Sequence, residues 1–487
     1  MAIRVQGTTI IDDSRNFTNM ESLNGVPISV TKPSITSPVN GSQTLESTIT
    51  FQSSDFAVNL DTDTHVSSDW ELATDSGFSN IVASTTDDTS NLTSFTVSNL
   101  SVDTYFVRVR HSGATLGDSE YSDAVSFSII EQIAYMWGIN YAAMLGDGSL
   151  TNRSSPVTVV GGISDWTDLS SGGIFSHAIR SNGVLYGWGR QEDFGNIGDG
   201  TNIDRSSPVT VLGGFTDWEK ISNGREHSLA LRSNGVLYAW GRNTDGVLGD
   251  GTITNRISPV TVIGGITDWT NFSGGDTHSL ALRSNGVLYG WGNNNIGILG
   301  VGFIGDVSSP ATIVGGFTDW IEIEAGENIS FGIRSNGVLY GWGNSVVGDG
   351  TSTFRDSPVT VLGGFTDWEK ISASDFVLGL RSNGDLYAWG SNVGGQLGDG
   401  TTTERLSPVL VIGGITDWTD TVVSTGQGTS YALRSNGVLY SWGNNGSGEL
   451  GDGTTTNRSS PVTVVGGITD WTSITAGNST GGGLVAQ

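Results

Sequence analysis

Residues 227–269 read HSLALRSNGVLYAWGRNTDGVLGDGTITNRISPVTVIGGITDW, and this stretch decides the fold. Around Leu229, Ala230 and Leu231 apolar and small side chains alternate. Arg232, Ser233, Asn234 and Gly235 then turn the chain, and residues 236–240 return it. Asn-Gly between two such runs is the strongest short hairpin signal, because both residues tolerate a positive φ. The run Ser258-Pro259-Val260-Thr261-Val262 supplies another strand with proline at its start, where a missing N–H does no harm. The segment after an Asp-Trp pair, such as residues 219–222, supplies a fourth.

The unit recurs. Fourteen of the 15 tryptophans fall in two series. Trp137, Trp188, Trp240, Trp291, Trp342, Trp389 and Trp442 precede glycine, at spacings of 51, 52, 51, 51, 47 and 53 residues. Trp166, Trp218, Trp269, Trp320, Trp368, Trp418 and Trp471 follow aspartate. Pro156, Pro208, Pro259, Pro310, Pro358, Pro408 and Pro461 form a third series. A period near 50 residues signals a propeller or a solenoid. Four short strands in each of seven copies predict an all-β, seven-bladed β-propeller. Six copies carry the Arg-Ser-Asn-Gly hairpin; the chain then stops at residues 482–487, and the first copy starts at residue 133 with no strand before it. Pairing these two half-hairpins, residues 133–137 with 482–486, completes the seventh blade and leaves no open edge.

Composition agrees. The chain has 487 residues, 72 of them glycine, no cysteine, 15% charged residues and a formal net charge of −27. Absence of cysteine excludes disulfides, thiolate metal sites and cysteine nucleophiles. Lys32, Lys220 and Lys370 are the only lysines, so an acidic surface speaks against nucleic acid as a partner. No run approaches the ~20 apolar residues of a membrane helix, and residues 1–7 do not read as a secretory signal.

The run Trp-Gly-x-Asn-x-x-Gly-x-Leu-Gly-Asp-Gly, the Pro-Val pair and the His-Ser-x-Ala-Leu segment resemble the regulator of chromosome condensation repeat family over residues 131–487. That resemblance implies the propeller; its members range from a nucleotide exchange factor to bacterial binding proteins, so it does not fix a function. Residues 32–130 hold Trp70 and strand-like runs at 48–51, 69–73, 94–97, 105–110 and 124–129, which predict an immunoglobulin-like β-sandwich. The stretch from Leu100 to Tyr105, with Val107, Val109 and Tyr121, resembles a fibronectin type III domain. Residues 1–31 are too short and polar to fold alone; Ile3, Val5, Ile10, Ile11, Phe17, Met20 and Leu23 need another surface, which makes the segment an anchor. Gly7-Thr8-Thr9-Ile10-Ile11-Asp12-Asp13-Ser14-Arg15-Asn16 resembles an N-terminal segment of marine bacteriophage structural proteins, especially cyanophage tail fibres.

The Gly-Asp-Gly turns invite a calcium reading. However, Asp147, Asp199, Asp250, Asp349, Asp399 and Asp452 each lie six residues before an arginine, and copy four replaces both, with Val301 and Val307. Joint loss points to Asp–Arg pairs across the loop, with no metal. His227 and His278 share a position that holds phenylalanine, isoleucine or threonine in other copies, which marks packing rather than catalysis. No Ser-His-Asp order, P-loop or HExxH occurs, and no cofactor is implied. The loops after Trp-Gly vary most; their aromatics Tyr141, Phe194, Phe303 and Phe354 are the candidate binding residues, although loops also vary where nothing constrains them.

These readings combine into a virion structural protein made in the host cytoplasm: a tail fibre or appendage, not an enzyme. Residues 1–31 bind other virion proteins, 32–130 space, and 131–487 display a surface to a host receptor or glycan. A fibre implies a homotrimer by analogy. The alternatives are a capsid decoration protein, a bacterial interaction or inhibitor propeller with no virus, and an enzyme acting on surface glycans.

Overall fold

The computed structural model describes residues 28–487, except 46, 60–61, 192–193, 345, 424–427 and the side chain of 423, with the backbone of four short strands before residue 28. Every regular element among them is a strand, and no helix is long and apolar enough to cross a membrane. The chain divides into two compact units, Met1–Glu131 and Gln132–Gln487.

In the second unit, seven four-stranded antiparallel sheets are described. The stretch quoted first contributes His227–Arg232, Leu237–Gly241 and Arg256–Thr261, with Trp218–Asn223 before them, in spatial order along one sheet. The strand that begins with the Asp-Trp tryptophan is innermost. Each of these strands touches the next, and Trp471–Gly477 touches both Trp418–Val423 and Trp166–Ser171, which closes the ring. The closing sheet takes strands from both ends of the repeat region, in the order Arg153–Thr158, Gln132–Gly138, Thr480–Ala486 and Trp471–Gly477. Ile133 pairs with Val485, Tyr135 with Gly483 and Trp137 with Gly481, so the terminal strands meet antiparallel as expected.

Two local expectations need correction. Pro259 is not at the start of its strand but fourth in Arg256–Thr261. It is tolerated there because this strand is the outer edge of the sheet, where one face of the backbone needs no partner. In the hairpin only Gly235 has a positive φ, at 75°; Asn234 contributes instead by accepting the Val236 N–H on its side chain at 3.1 Å.

The cores lie between neighbouring sheets. Leu229, Leu237 and Leu248 from one side meet Trp269, Phe272 and Trp291 from the next. Trp291 is fully buried, 6.2 Å from the Trp269 ring, and Trp269 meets Tyr289 edge-on at 5.5 Å. Gly249 packs beneath Trp291: a Cβ there would lie 2.8 Å from the indole nitrogen. That nitrogen donates to the Val247 carbonyl of the preceding loop at 2.8 Å. Trp137, Trp188, Trp240 and Trp442 do the same with Glu449, Met144, Asn196 and Gln396. Trp342 and Trp389 are the exceptions; their buried indole nitrogens have no partner.

In the first unit, a three-stranded sheet (Ile35–Ser37, Ile49–Ser53, Ser94–Val97) and a six-stranded sheet share one core of Phe51, Trp70, Leu72, Tyr105, Val107 and Phe127. Tyr105 Oη donates to the Ser101 carbonyl at 3.0 Å. The runs expected at 69–73 and 105–110 extend to His65–Ala73 and Asp103–Gly113. Before them Ile3–Val5 pairs with Thr8–Ile11. Phe17 and Met20 lie outside the described residues, as do the side chains of Ile3, Val5, Ile10, Ile11 and Leu23.

Candidate functional site

In six of the seven sheets the loop between the third and fourth strands is built on a clamp. Arg256 donates to Asp250 Oδ2, with the guanidinium 2.6 Å away. Asp250 Oδ1 also accepts from the Thr252 N–H (2.9 Å) and hydroxyl (2.7 Å), and from Asn243 Nδ2 (3.1 Å). Asn243 Oδ1 in turn accepts the Leu248 N–H at 2.9 Å. Burial pushes the Asp250 carboxyl up, but the Thr252 and Arg256 hydrogen bonds outweigh it and hold the group below the usual carboxylate range. Asp147, Asp199, Asp349, Asp399 and Asp452 pair with Arg153, Arg205, Arg355, Arg405 and Arg458 in the same way. In copy four, Val301 and Val307 belong to one apolar cluster.

A second clamp was not read from the sequence. The hairpin arginines Arg180, Arg232, Arg283, Arg334, Arg381 and Arg434 each bind the aspartate of an Asp-Trp pair, Asp165, Asp217, Asp268, Asp319, Asp367 and Asp417, at 2.8 Å. Both residues recur in every copy that has the hairpin, but their separation varies from 14 to 17 residues, so recurrence alone did not pair them. Twelve arginines are thus spent on scaffolding.

On this frame the loops present apolar groups. Tyr141, Phe303 and Phe354 are 61%, 52% and 58% exposed. Phe194 is only half-exposed, with the Arg242 guanidinium 5.8 Å from its ring centre. Sequence reasoning missed Leu150, Ile203, Ile253 and Ile304, which are equally exposed in the same loops. Five consecutive loops around the ring therefore carry exposed apolar side chains beyond the Gly-Asp-Gly position; the last two place Thr402, Thr403, Thr455 and Thr456 there.

The three histidines of the second unit, His177, His227 and His278, are structural. His227 and His278 are buried and share hydrogen bonds with Ser279 Oγ (3.0 Å) and Ser330 Oγ (2.8 Å) of the next sheet. His177 lies between Asn223 Oδ1 and the Ile197 carbonyl, both at 3.0 Å. Burial pulls all three down, His177 to about 4 and the other two to about 3, so they stay neutral.

The centre of the ring holds a cavity of about 130 Å³ that touches all seven inner strands. Two residues after each inner tryptophan stand Asp168, Lys220, Asn271, Glu322, Lys370, Asp420 and Ser473. Lys370 pairs with Asp420 at 2.9 Å, and Lys220 donates to the Thr270 carbonyl at 3.0 Å. Two residues further on, Ser170, Ser222, Ser273 and Thr475 accept backbone N–H groups of the neighbouring sheet, from Asn223, Gly274, Ala325 and Ser171. Glu324 takes that place in one strand, facing Ser273 Oγ (3.1 Å) and the Ala373 N–H (3.4 Å). Burial pushes Glu324 up to about 8, Glu322 to about 7 and Asp168 to about 6. These groups join neighbouring strands rather than converging on a reacting atom. No group of three metal-ligating side chains occurs among the described residues.

The regulator of chromosome condensation (RCC1) repeat model matches residues 182–231, 234–282, 383–433 and 436–481. The chain is 32% identical over 309 residues to the ultraviolet-B receptor UVR8 of Arabidopsis thaliana, covering 61% of this chain and 69% of that protein. It is 30% identical over 188 residues to the E3 ubiquitin-protein ligase HERC2 of Homo sapiens, covering 36% of this chain but only 4% of HERC2. Among solved structures, Prp20p of Saccharomyces cerevisiae, described with its binding to Gsp1p and histones, superposes with a TM-score of 0.64 at 21% identity, over 74% of this chain and 92% of that one.

Proposed function

The chain belongs to the regulator of chromosome condensation (RCC1) repeat family, and from that premise we propose that residues 131–487 form a seven-bladed, non-catalytic platform for binding a macromolecular partner. The observation that carries this reading is the row of exposed apolar side chains on five consecutive loops, four of them held by an Asp–Arg clamp and the fourth in line by the apolar pair Val301 and Val307. A rigid loop loses little entropy on binding, so a modest apolar contact suffices. Proteins of this fold bind protein partners: Prp20p binds Gsp1p and is also known bound to Kap60. The neutral, hydrogen-bonded histidines favour binding over acid–base catalysis.

The carrier is a bacteriophage virion. The support is the segment Gly7–Asn16, with its likeness to cyanophage fibre proteins. Residues 1–31 anchor to other virion proteins. Residues 32–130 act as a fibronectin type III-like spacer, for which the shared core and the Tyr105–Ser101 hydrogen bond speak. Tyr141, Phe194, Phe303 and Phe354 meet the host surface. A cellular interaction propeller uses the same loops with a different carrier, as the likeness to UVR8 favours. A mass-spectrometric inventory of purified virions decides between them: stoichiometric recovery of this chain supports the virion reading, and its absence from virions while present in cells assigns it to the cell.

A further inference from the structure

A recess of about 330 Å³ opens between two neighbouring sheets, beside the turns that follow Trp320–Ala325 and Trp368–Ala373. The loop after Trp342 is three residues shorter than that after Trp240, running Asn344 to Val347 where the other runs Arg242 to Leu248. In five sheets the loop before each Trp-Gly indole offers it a carbonyl; Trp389, after the short loop, has none, and neither has Trp342, after a loop of ordinary length. Asn344 and Val346 of the short loop line the recess.

The chemistry of this recess is one-sided. Glu327, Asp375 and Glu404 enter it from three separate segments, and no lysine or arginine lines it among the described residues. Asp375 Oδ1 is buried without a hydrogen-bond partner, a costly state for a carboxylate oxygen. Burial pushes both Glu327 and Asp375 up, and the Asp375 charge adds to the effect on Glu327. The Arg225 charge works against the rise at Glu327, but its guanidinium is bound to Asp276 at 3.1 Å. Ile329 and Val346, both buried, supply an apolar wall. On the same loop as Val346, Phe354 is exposed.

We propose that this recess receives an arginine or lysine side chain of a protein partner, the aliphatic stem lying on Ile329 and Val346 and the cationic head between Glu327 and Asp375. Long cationic side chains have this amphipathic shape, and guanidinium matches carboxylates in pairs. The carboxylates do not gather closely enough for a metal ion, and their sign excludes phosphate. The chain's net charge of −27 favours a basic partner from a distance. The inference rests on the reading of the propeller as a protein-binding platform and names the partner's anchoring residue.

The test is calorimetric titration of the full chain with the peptide Ac-Gly-Gly-Arg-Gly-Gly-amide and its citrulline isostere, which lacks the charge. The arginine peptide binds, and citrulline weakens binding by about ten-fold or more, the loss expected when a charged hydrogen-bonding partner is neutralised. The double variant Asp375→Asn, Glu327→Gln loses as much, while Glu219→Gln and Glu369→Gln on exposed inner-strand positions change nothing. Glu404→Lys alters an exposed rim residue that tolerates substitution and places a cation at the recess, so it also blocks the peptide if the double variant fails to fold. Equal affinity for arginine and citrulline, no binding of the arginine peptide, or unchanged binding by a folded Glu404→Lys chain overturns the proposal. None of these results bears on the apolar loops, whose role is read separately by adsorption to cells.

Discussion

Asp250 receives hydrogen bonds from Asn243, Thr252 and Arg256 at once, so its carboxylate is a hub that neither a neutral nor an apolar side chain replaces alone. Asp250→Val is expected to cost about 2–4 kcal/mol, because it strands a partly buried arginine. Adding Arg256→Val returns at least half of that loss, as the native valine pair of copy four implies; equilibrium urea unfolding of the single and double variants measures it, and an additive loss contradicts the pair. The pair was legible because the two residues keep a six-residue spacing and disappear together. The hairpin clamps, Arg232 to Asp217 and its equivalents, were not, because both residues also suit turns and their separation varies from 14 to 17 residues. The buried acids of the inner strands, Glu324, Glu322 and Asp168, set the opposite pH trend. An acid whose folded value lies above its unfolded one keeps its proton longer in the folded chain, so Glu324 loses stability as pH rises from about 4.5 towards about 8. The clamp carboxylates, held low, contribute above the ordinary carboxylate range and lose that contribution as pH falls through their lowered values. Glu324→Gln therefore raises the melting temperature by a few degrees at pH 8 and less at pH 5, as calorimetric scans at the two values would record; an equal shift at both contradicts the assignment.

The strand Thr480–Ala486 carries more than its length suggests. Leu484 is fully buried among Met136, Trp166 and Trp188, and Val485 among Trp137, Tyr431 and Trp471, so one strand contributes to the cores on both sides of its sheet. Leu484→Ala is expected to cost about 2–5 kcal/mol, and deletion of residues 482–487 to destabilise the whole ring, which thermal unfolding with a far-domain control at Trp70 checks. An unchanged melting temperature would mean that the terminal strands do not close the ring. Closure was legible because a surplus half-hairpin at one end matches a missing half at the other. Which strand is innermost was not: the Asp-Trp strand alternates apolar and polar residues as any half-buried strand does, and only the contacts of these strands with one another round the ring reveal its place. The exposed Leu150, Ile203 and Ile253 escaped notice for the same reason, since an apolar residue in a loop reads as buried until neighbours are counted.

At the scale of the whole molecule, charge and surface act together. Most described arginines are tied to carboxylates within the fold, so the net charge of −27 is carried outward by acids. Repulsion from anionic surfaces is strong at low salt and screened beyond about 8 Å at 0.15 M ionic strength, and adsorption is therefore expected to strengthen as salt rises to seawater-like levels. A steady decrease over that range would place attractive charge, not apolar contact, at the interface. On the proposed virion reading, display of several propellers on one particle would multiply a weak contact. The central claim is that this contact is made by the loop side chains on their clamped frame. It is tested most directly by measuring adsorption of the purified full-length chain to host cells, comparing the natural protein with one carrying Tyr141→Ser, Phe194→Ser, Phe303→Ser and Phe354→Ser. A folded variant that adsorbs about ten-fold less or worse, as loss of several apolar anchors implies, is the expected result; adsorption equal to that of the natural chain would contradict it.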